Sequence, residues 1–121
     1  MKGFRKISIN KEDKEWGRLV RERDGKCLYC GKTEYLQAHH LFSRGRSATR
    51  FNLKNGFTLC AGCHTFNPSF SAHRTPDKFK EWAKGYLGKD FPKLERLANT
   101  TLSRTKAIEQ FNILKNNYAG I

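Results

Sequence analysis

Apolar residues recur at helical spacing near the start of the chain. Trp16, Leu19 and Val20 occupy positions i, i+3 and i+4, a pattern that predicts a helix over residues 11–23. The Asp24-Gly25 pair that follows is a turn signal and should end this helix. Residues 1–10 are basic and carry no comparable pattern, so no element is predicted for them.

The last third of the chain is predicted to consist of helices. Thr75-Pro76-Asp77 is typical of a helix start, with Thr as the N-cap, Pro at the first helical position and an acid in the first turn. Gly88 should end this helix, whose apolar face comprises Phe79, Trp82, Ala83, Tyr86 and Leu87. A second helix is predicted from the spacing of Phe91, Leu94, Leu97 and Ala98. A third, capped by Ser103, would place inward Ile108, Phe111, Leu114 and Tyr118.

The middle of the chain has the shorter patterns of strands and loops. Residues 35–42 suit a strand leading into a polar loop at 43–49, and residues 57–59 suit a short returning strand. A helix should open at the second cysteine pair described below, before Asn67-Pro68 interrupts it. The expected fold is a single α+β domain over residues 1–121, with a core at about 16–75 and a helical extension at about 75–118.

Four cysteines lie in two matching pairs, Cys27-x2-Cys30 and Cys60-x2-Cys63, with 29 residues between the pairs. Only 37% of the 121 residues are hydrophobic, so the core is lean and a domain of this size needs a staple. The spacing predicts a structural Zn²⁺ bound by all four thiolates. Two alternatives remain open: a pair of disulfides, and covalent haem attachment through the second pair and His64, which leaves the first pair unexplained.

Positive charge dominates the chain, with 24 Lys and Arg against 11 Asp and Glu and a net charge of +13. The 42 residues from 35 to 76 contain no acid, yet they contain all four histidines. The basic residues of this segment are candidate phosphate contacts: Arg44, Arg46, Arg50, Lys54 and Arg74. A segment of one charge sign predicts a polyanionic partner, and nucleic acid is the best candidate, although a basic surface also serves solubility.

The composition excludes two classes of protein. No apolar stretch approaches the ~18 residues of a membrane span, and no apolar run follows the basic start as it does in a signal peptide. Aromatic residues make up 12% of the chain, too many for a disordered basic tail. We therefore expect a folded, cytoplasmic protein with no membrane partner.

The histidines form a second candidate site beside the predicted zinc. His64 directly follows a zinc ligand, while His39 and His40 are adjacent on the outgoing strand. Because neighbouring strand residues point to opposite faces, both would serve one site only if the strand end is distorted or bulged. A histidine from the strand and His64 would then share a second metal. A lone histidine is more often an ordinary polar residue, so the interpretation depends on the cluster.

Three spaced motifs together resemble the HNH endonucleases, the ββα-metal nucleases. The motifs are R-D-G-x-C-x-x-C-G at 23–31, A-H-H-L at 38–41 and N-G-F-T-L-C-x-x-C-H at 55–64. The stretch A-H-R-T-P-D-K-F-K-E-W-A at 72–83 is similar to phage recombination nucleases of the NinG and Rap type. The resemblance implies a zinc-stapled, treble-clef-like ββα-metal core with an N-terminal helix and about three C-terminal helices.

The resemblance also implies a ligand set for a catalytic divalent metal. His39 and His64 correspond to two of the family's metal ligands. His73 lies outside the shared motifs and is a candidate third ligand or phosphate contact. The family's further ligand, one helical turn after the final His, falls on Pro68 in this chain, so the third ligand is the point at which the chain departs from the pattern.

Two further residues correspond to the family's catalytic groups. His40 matches the general base, which takes a proton from the attacking water; an imidazole near its reference pKa suits this task. Asn55 matches the Asn that fastens the loop and orients the base, and Asn52 fits that spacing less well.

The implied activity is hydrolysis of DNA phosphodiester bonds, on double-stranded or branched substrates, by a one-metal mechanism. Imidazole ligands suit Zn²⁺, Ni²⁺ or Co²⁺, whereas phosphate and water oxygens would admit Mg²⁺ or Mn²⁺. A role in phage recombination or DNA processing, in the cytoplasm of a host cell, would fit the narrower resemblance. The alternatives are a non-catalytic zinc-stabilised nucleic-acid-binding module and a packaging accessory protein.

Overall fold

The computed structural model describes the backbone of residues 2–117 and the side chains of residues 11–116. It confirms a small α+β structure with a two-stranded antiparallel sheet and several helices. The elements are α1 (Lys2–Asp24), β1 (Leu36–His40), α2 (Ser47–Arg50), β2 (Gly56–Cys60), α3 (Pro76–Leu87), α4 (Asp90–Ala98) and α5 (Arg104–Asn117). A 3₁₀ turn at Leu53–Asn55 precedes β2, and a π-helical turn at Gly62–Phe66 follows it.

The hairpin pairs without interruption. The register runs from Leu36 opposite Cys60 to His40 opposite Gly56, so the bulge that the sequence required for the two histidines is not present between β1 and β2. Because side chains alternate along a strand, Gln37 and His39 share one face of β1, and Ala38 and His40 share the other. The two neighbouring histidines are therefore given different surroundings.

Helix α1 packs against the Ala38 and His40 face of the hairpin. The Trp16 ring stacks on the His40 imidazole with centroids 3.8 Å apart and planes at 8°, and the Thr58 hydroxyl donates to the Val20 carbonyl at 3.1 Å. A Cβ built on Gly56 would lie 2.5 Å from Cγ2 of Val20. This approach leaves no space for a side chain at the first residue of β2.

Helix α1 is longer than its apolar spacing predicts, since it begins at Lys2 and not at residue 11. Hydrophobic periodicity indicates only the part of a helix that packs on a core. Residues 2–10 have no such periodicity, so the sequence did not predict that they are helical. The helix ends at Asp24, one residue after the predicted end, and Gly25 of the turn signal follows with φ +68°.

The element after β2 differs from the predicted helix. It is one π-helical turn, in which the Asn67 N–H donates to the Gly62 carbonyl at 2.8 Å, five residues back. The turn ends before Pro68, as the breaker signal indicated. The predicted loop at 43–49 is in part the short helix α2.

The three C-terminal helices lie where the spacing placed them. Ser103 caps α5, because its Oγ accepts from the Lys106 N–H at 3.1 Å. The Thr75 side chain does not cap α3; its hydroxyl instead donates to the Ser71 carbonyl at 2.9 Å. Tyr86 and Leu114 are 55% and 40% exposed and not inward. Tyr118 lies outside the described residues.

Three groups of buried side chains form the core. The first joins the cysteines to β2 and α3 through Phe57, Leu59 and Phe79. The second joins α1 to α5, and the third packs Phe42 against Phe91 and the rest of α4. Among the described helices, none combines the length and the apolar character that crossing a membrane requires.

Candidate functional site

The two cysteine pairs converge on one point between the loop after α1 and the end of β2. The four Sγ atoms all lie within 4.8 Å of one another, and the Sγ atoms of Cys30 and Cys60 are 3.6 Å apart. This separation is far from the ~2.05 Å of a disulfide. All four cysteines are free, and three of them are buried.

The cluster fits a tetrahedral zinc site. Zn–S bonds of about 2.3 Å place the sulfur atoms of a tetrahedron about 3.8 Å apart, close to the Cys30–Cys60 separation. Each pair also folds as a knuckle, since the Cys30 N–H points to Sγ of Cys27 and the Cys63 N–H to Sγ of Cys60, both at 3.5 Å. Gly31, with φ +84°, completes the first knuckle. The four cysteines could hold a structural zinc.

The protonation of the thiols points to the same conclusion. Burial raises the pKa of Cys30 and of Cys63. Burial opposes the charge of Cys27 too, but backbone N–H groups overcome it and lower that pKa to about 7. Burial thus opposes the charged form of Cys30 and Cys63, and a bound divalent cation would favour the thiolate form of its ligands.

Three histidines converge beside the cysteine cluster. Nε2 of His64 lies 3.1 Å from Nδ1 of His39 and 3.1 Å from Nε2 of His73. Ligand bonds of 2.0–2.1 Å to a tetrahedral metal would place such nitrogens about 3.4 Å apart. The geometry therefore brings together the two sequence-predicted ligands and the uncertain third one, His73, which follows the π-helical turn.

The hydrogen bonding of His64 leaves its inner nitrogen, Nε2, without a proton. Its Nδ1 contacts Oε1 of Gln37, and because this oxygen can only accept, Nδ1 carries the proton and Nε2 presents its lone pair to His39 and His73. A polar partner on the outer nitrogen is the usual support of a metal-bound histidine. Gln37 was missed by the sequence prediction, although its i, i+2 relation to His39 marks it as a neighbour on the same face.

Burial favours the neutral form of two of these imidazoles, His39 and His64. Burial lowers the pKa of His39 to about 3, with smaller contributions from the electrostatic effect of the nearby His64 and His73. Burial also lowers the pKa of His64, with a second contribution from His73. Neutral imidazole is the form that ligates a metal, so these rings need not lose a proton to do so at neutral pH.

His40 lies on the other face of β1 and is held differently. Its Nε2 is 2.9 Å from the Arg50 carbonyl, which can only accept, so Nε2 donates and Nδ1 is left with a lone pair. Burial lowers the pKa of His40 to about 4. The sequence placed this imidazole near its reference pKa; in the structure it is neutral but less basic, because Trp16 and its surroundings exclude water.

Asn55 fastens the loop that lies beside His40. It is fully buried, its Oδ1 accepts from the Phe42 N–H at 2.7 Å, and its Nδ2 donates to the carbonyls of Phe42 and Thr49 at 3.0 and 3.1 Å. Asn52, the competitor for this role, caps the 3₁₀ turn by accepting from the Lys54 N–H at 2.9 Å. The loop thereby presents the Arg50 carbonyl to His40.

All four histidines line a single open cleft of about 420 Å³. The cleft lies at the end of β1, so side chains from its two faces reach the same space without a bulge. Arg44 and Ser43 complete the polar part of its wall. The arrangement combines three converging imidazole nitrogens that could hold a metal ion, a separately oriented imidazole and a cation in one exposed recess.

Comparison with known protein families, curated proteins and solved structures finds no match to this chain. No family assignment therefore follows from likeness to a known protein. The function is argued from the chemistry of the cleft, since sites and not folds carry function.

The five predicted phosphate-binding residues are not equivalent. Arg50 is 9% exposed, and its guanidinium binds both carboxylate oxygens of Asp13 at 3.1 and 2.7 Å. The prediction that Arg50 contacts nucleic acid is therefore not supported, because this side chain is buried and fully engaged. Arg44 shares the same Asp13 at 3.4 Å, but its side chain is 60% exposed and lines the cleft.

The other three predicted contacts lie away from the cleft wall or have partners. Lys54 forms an ion pair with Asp90 at 2.8 Å, and Arg46 donates to Oδ1 of Asn99 at 2.8 Å. Arg74 follows His73 directly and is exposed, donating to the Phe66 carbonyl at 3.3 Å. The segment that lacks acids in the sequence is thus partly neutralised in space by acids from α1 and α4.

Proposed function

We propose that this chain is a metal-dependent endonuclease of the HNH type that hydrolyses phosphodiester bonds in DNA. The observation that carries the proposal is the cleft in which His39, His64 and His73 converge while His40 is oriented independently. A protein that only binds nucleic acid needs no such division among its histidines. The resemblance of the three motifs to HNH endonucleases supports the same function.

The three converging nitrogens would hold the catalytic metal. When bound, a divalent ion would act as a Lewis acid on a phosphate oxygen and stabilise charge on the leaving oxygen. The three ligands are neutral, so the occupied site would keep its full positive charge for a phosphate. Such a set suits Zn²⁺, Ni²⁺ or Co²⁺, with Mn²⁺ or Mg²⁺ admitted by phosphate and water oxygens. The four cysteines would hold a separate structural Zn²⁺.

His40 is assigned the role of general base. Its Nε2–H is anchored on the Arg50 carbonyl, and Trp16 fixes the plane of the ring. The unprotonated Nδ1 can then accept a proton from a water that attacks the phosphate. Asn55 serves this step indirectly, because it holds the loop that carries the anchoring carbonyl.

The chain would realise the ββα-metal plan with one modification. The family's helix is replaced by a single π-helical turn that carries His64 and ends before Pro68. His73, from the segment after the turn, then stands in for the ligand that a longer helix would supply. Its backbone is tied to that turn, since the His73 N–H donates to the His64 carbonyl at 3.0 Å. Phage recombination or DNA processing in a host cytoplasm is the proposed setting, with double-stranded or branched DNA as substrate.

The test is a nicking assay on supercoiled plasmid with EDTA or with Mg²⁺, Mn²⁺, Co²⁺, Ni²⁺ or Zn²⁺. We expect His40→Ala to lower cleavage ~10²–10⁴-fold, as loss of a general base does, while metal uptake and DNA affinity stay near those of the wild type. His64→Ala is the matched variant: it should also lose cleavage, but through loss of the catalytic metal, with the cysteine-bound zinc retained in elemental analysis.

Two results would overturn the proposal in different ways. Absence of nicking by the wild type with every metal, on linear, supercoiled and branched DNA, would favour a zinc-stabilised binding module or a packaging accessory protein. Full activity of His40→Ala would leave an endonuclease standing but remove His40 as its base.

A further inference from the structure

A second cleft, of about 400 Å³, adjoins the histidine cleft on the side of α1. The two share Ala38, His40 and Arg44 as lining residues, so they form one continuous depression that passes over His40. The α1 wall of the second cleft is formed by Asp13, Lys14, Trp16, Gly17 and Arg21. Sequence patterning did not single out this surface, since Lys14 and Arg21 lie outside the segment that lacks acids.

Cationic side chains outnumber acidic ones along the α1 wall of the second cleft. Asp13 is the one acid that lines the second cleft, and Arg50 binds both of its carboxylate oxygens from behind. Lys14 is exposed and Arg21 half-buried. Among residues 11–116, whose side chains are described, neither the Lys14 nor the Arg21 side chain forms a hydrogen bond or an ion pair. These two cations are therefore available to an external anion.

Helical spacing places Lys14, Gly17 and Arg21 at i, i+3 and i+7, on one face of α1. Gly17 is buried, and a Cβ at this position would lie 3.1 Å from Nη1 of Arg21 and 3.7 Å from Cβ of Ala38. The missing side chain leaves room for the Arg21 guanidinium to lie over this part of α1. Both cations can thus meet an extended polyanion that lies along α1.

We propose that the Lys14 and Arg21 face of α1 binds the phosphates of the DNA strand that flanks the scissile bond. The proposal rests on the proposed function for the identity of the polyanion. Continuity with the histidine cleft favours DNA over an acidic protein, because a strand whose phosphate sits at His39, His64 and His73 must continue past His40 or leave the surface. Arg44, shared by both clefts, would bridge the two parts of the path.

The test measures the salt dependence of binding to a short DNA duplex, with Lys14→Ala/Arg21→Ala compared with the wild type. Each lost phosphate contact lowers the slope of log K against log salt by about 0.9 in magnitude, so this variant should lose about 1.8. The matched control is Lys80→Ala/Lys106→Ala, which removes the same charge from exposed helical positions outside both clefts. Its slope should equal that of the wild type.

Lys14→Ala alone provides a variant in which the buried packing of α1 is untouched, and it should lose about 0.9 of slope. Equal slopes for the α1 variants and the control variant would overturn the proposal, whether or not the protein cleaves DNA. If the α1 variants lose slope and the control does not, while the wild type cleaves no DNA, the binding face stands and the endonuclease is rejected. Tight binding of an acidic protein, with no binding of DNA, would also overturn the proposal.

Discussion

Asn55 uses one side chain to close a loop. It accepts from the Phe42 N–H and donates to the carbonyls of Phe42 and Thr49 while fully buried. No water can replace these bonds, so the amide geometry and the fold of the loop depend on each other. The loop in turn carries the carbonyl that orients His40, which explains why an amide at this position matters to the cleft.

We expect Asn55→Ala to lower the free energy of unfolding by about 3 kcal/mol, because it removes the partner of the Phe42 N–H and of the Phe42 carbonyl and one of the two donors to the Thr49 carbonyl. The control is Asn52→Ala, which removes a single capping bond and should cost about 1 kcal/mol. Urea unfolding followed by circular dichroism gives both values. Equal losses in the two variants would show that the buried amide does not hold the loop.

At the scale of the element, strand β1 places the adjacent residues His39 and His40 in different surroundings. His39 faces the side on which Gln37, His64 and His73 gather, and His40 faces α1 and the Arg50 carbonyl. Alternation along a regular strand is sufficient, because both side chains open into the cleft at the strand end. The close contact of α1 with β2 fixes the orientation of the His40 ring, because the Trp16 side chain of α1 packs against the hairpin and stacks on that ring.

Gly56 permits that contact, and a Cβ there would lie 2.5 Å from Cγ2 of Val20 and 2.7 Å from Cζ2 of Trp16. Gly56→Ala should therefore destabilise the protein by about 1–3 kcal/mol through overpacking. Gly85→Ala is the matched control, because Gly85 lies within α3 with nothing within 4 Å of its added Cβ. It should stabilise the protein by up to about 1 kcal/mol. Thermal denaturation of the two variants would contradict this account if Gly56→Ala were neutral.

For the whole molecule, the hairpin joins two clusters with different tasks. The cysteine cluster lies between the loop after α1 and the end of β2, and His64 of the histidine cluster directly follows Cys63. A small protein with a lean hydrophobic core gains stability from such a cross-link. Positioning of His64 against His39 therefore depends on the cysteine cluster.

We expect elemental analysis of the wild type to find one tightly held zinc per chain. Cys27→Ser should lose both this zinc and the cooperative unfolding transition. The reason is that structural zinc contributes ~10 kcal/mol or more to the folding of small zinc domains. His64→Ala should keep both the zinc and the transition. A folded, active protein without zinc would contradict the structural role of the cysteines.

Features that depend on neighbours in the chain were determined by the sequence. The positions of α3, α4 and α5 follow from apolar spacing and turn signals, and the two C-x2-C pairs fold into knuckles because three residues suffice to bend each backbone. Local geometry and short-range hydrogen bonds govern these helices and knuckles, so the residues near each feature carry the information. The pairing of His39 with His64, 25 residues apart, was expected from the resemblance of the motifs and not from local spacing.

Only the tertiary structure decided which distant groups meet. It brought His73 to His64, supplied Gln37 as the partner of His64, placed Trp16 on His40, and withdrew Arg50 from the surface by pairing it with Asp13. It also put Lys14 and Arg21 beside the cleft, outside the segment that charge patterning favoured. Burial and ion pairing are properties of the packed chain. The acid that pairs with a cation, or the ring that excludes water from an imidazole, comes from another element.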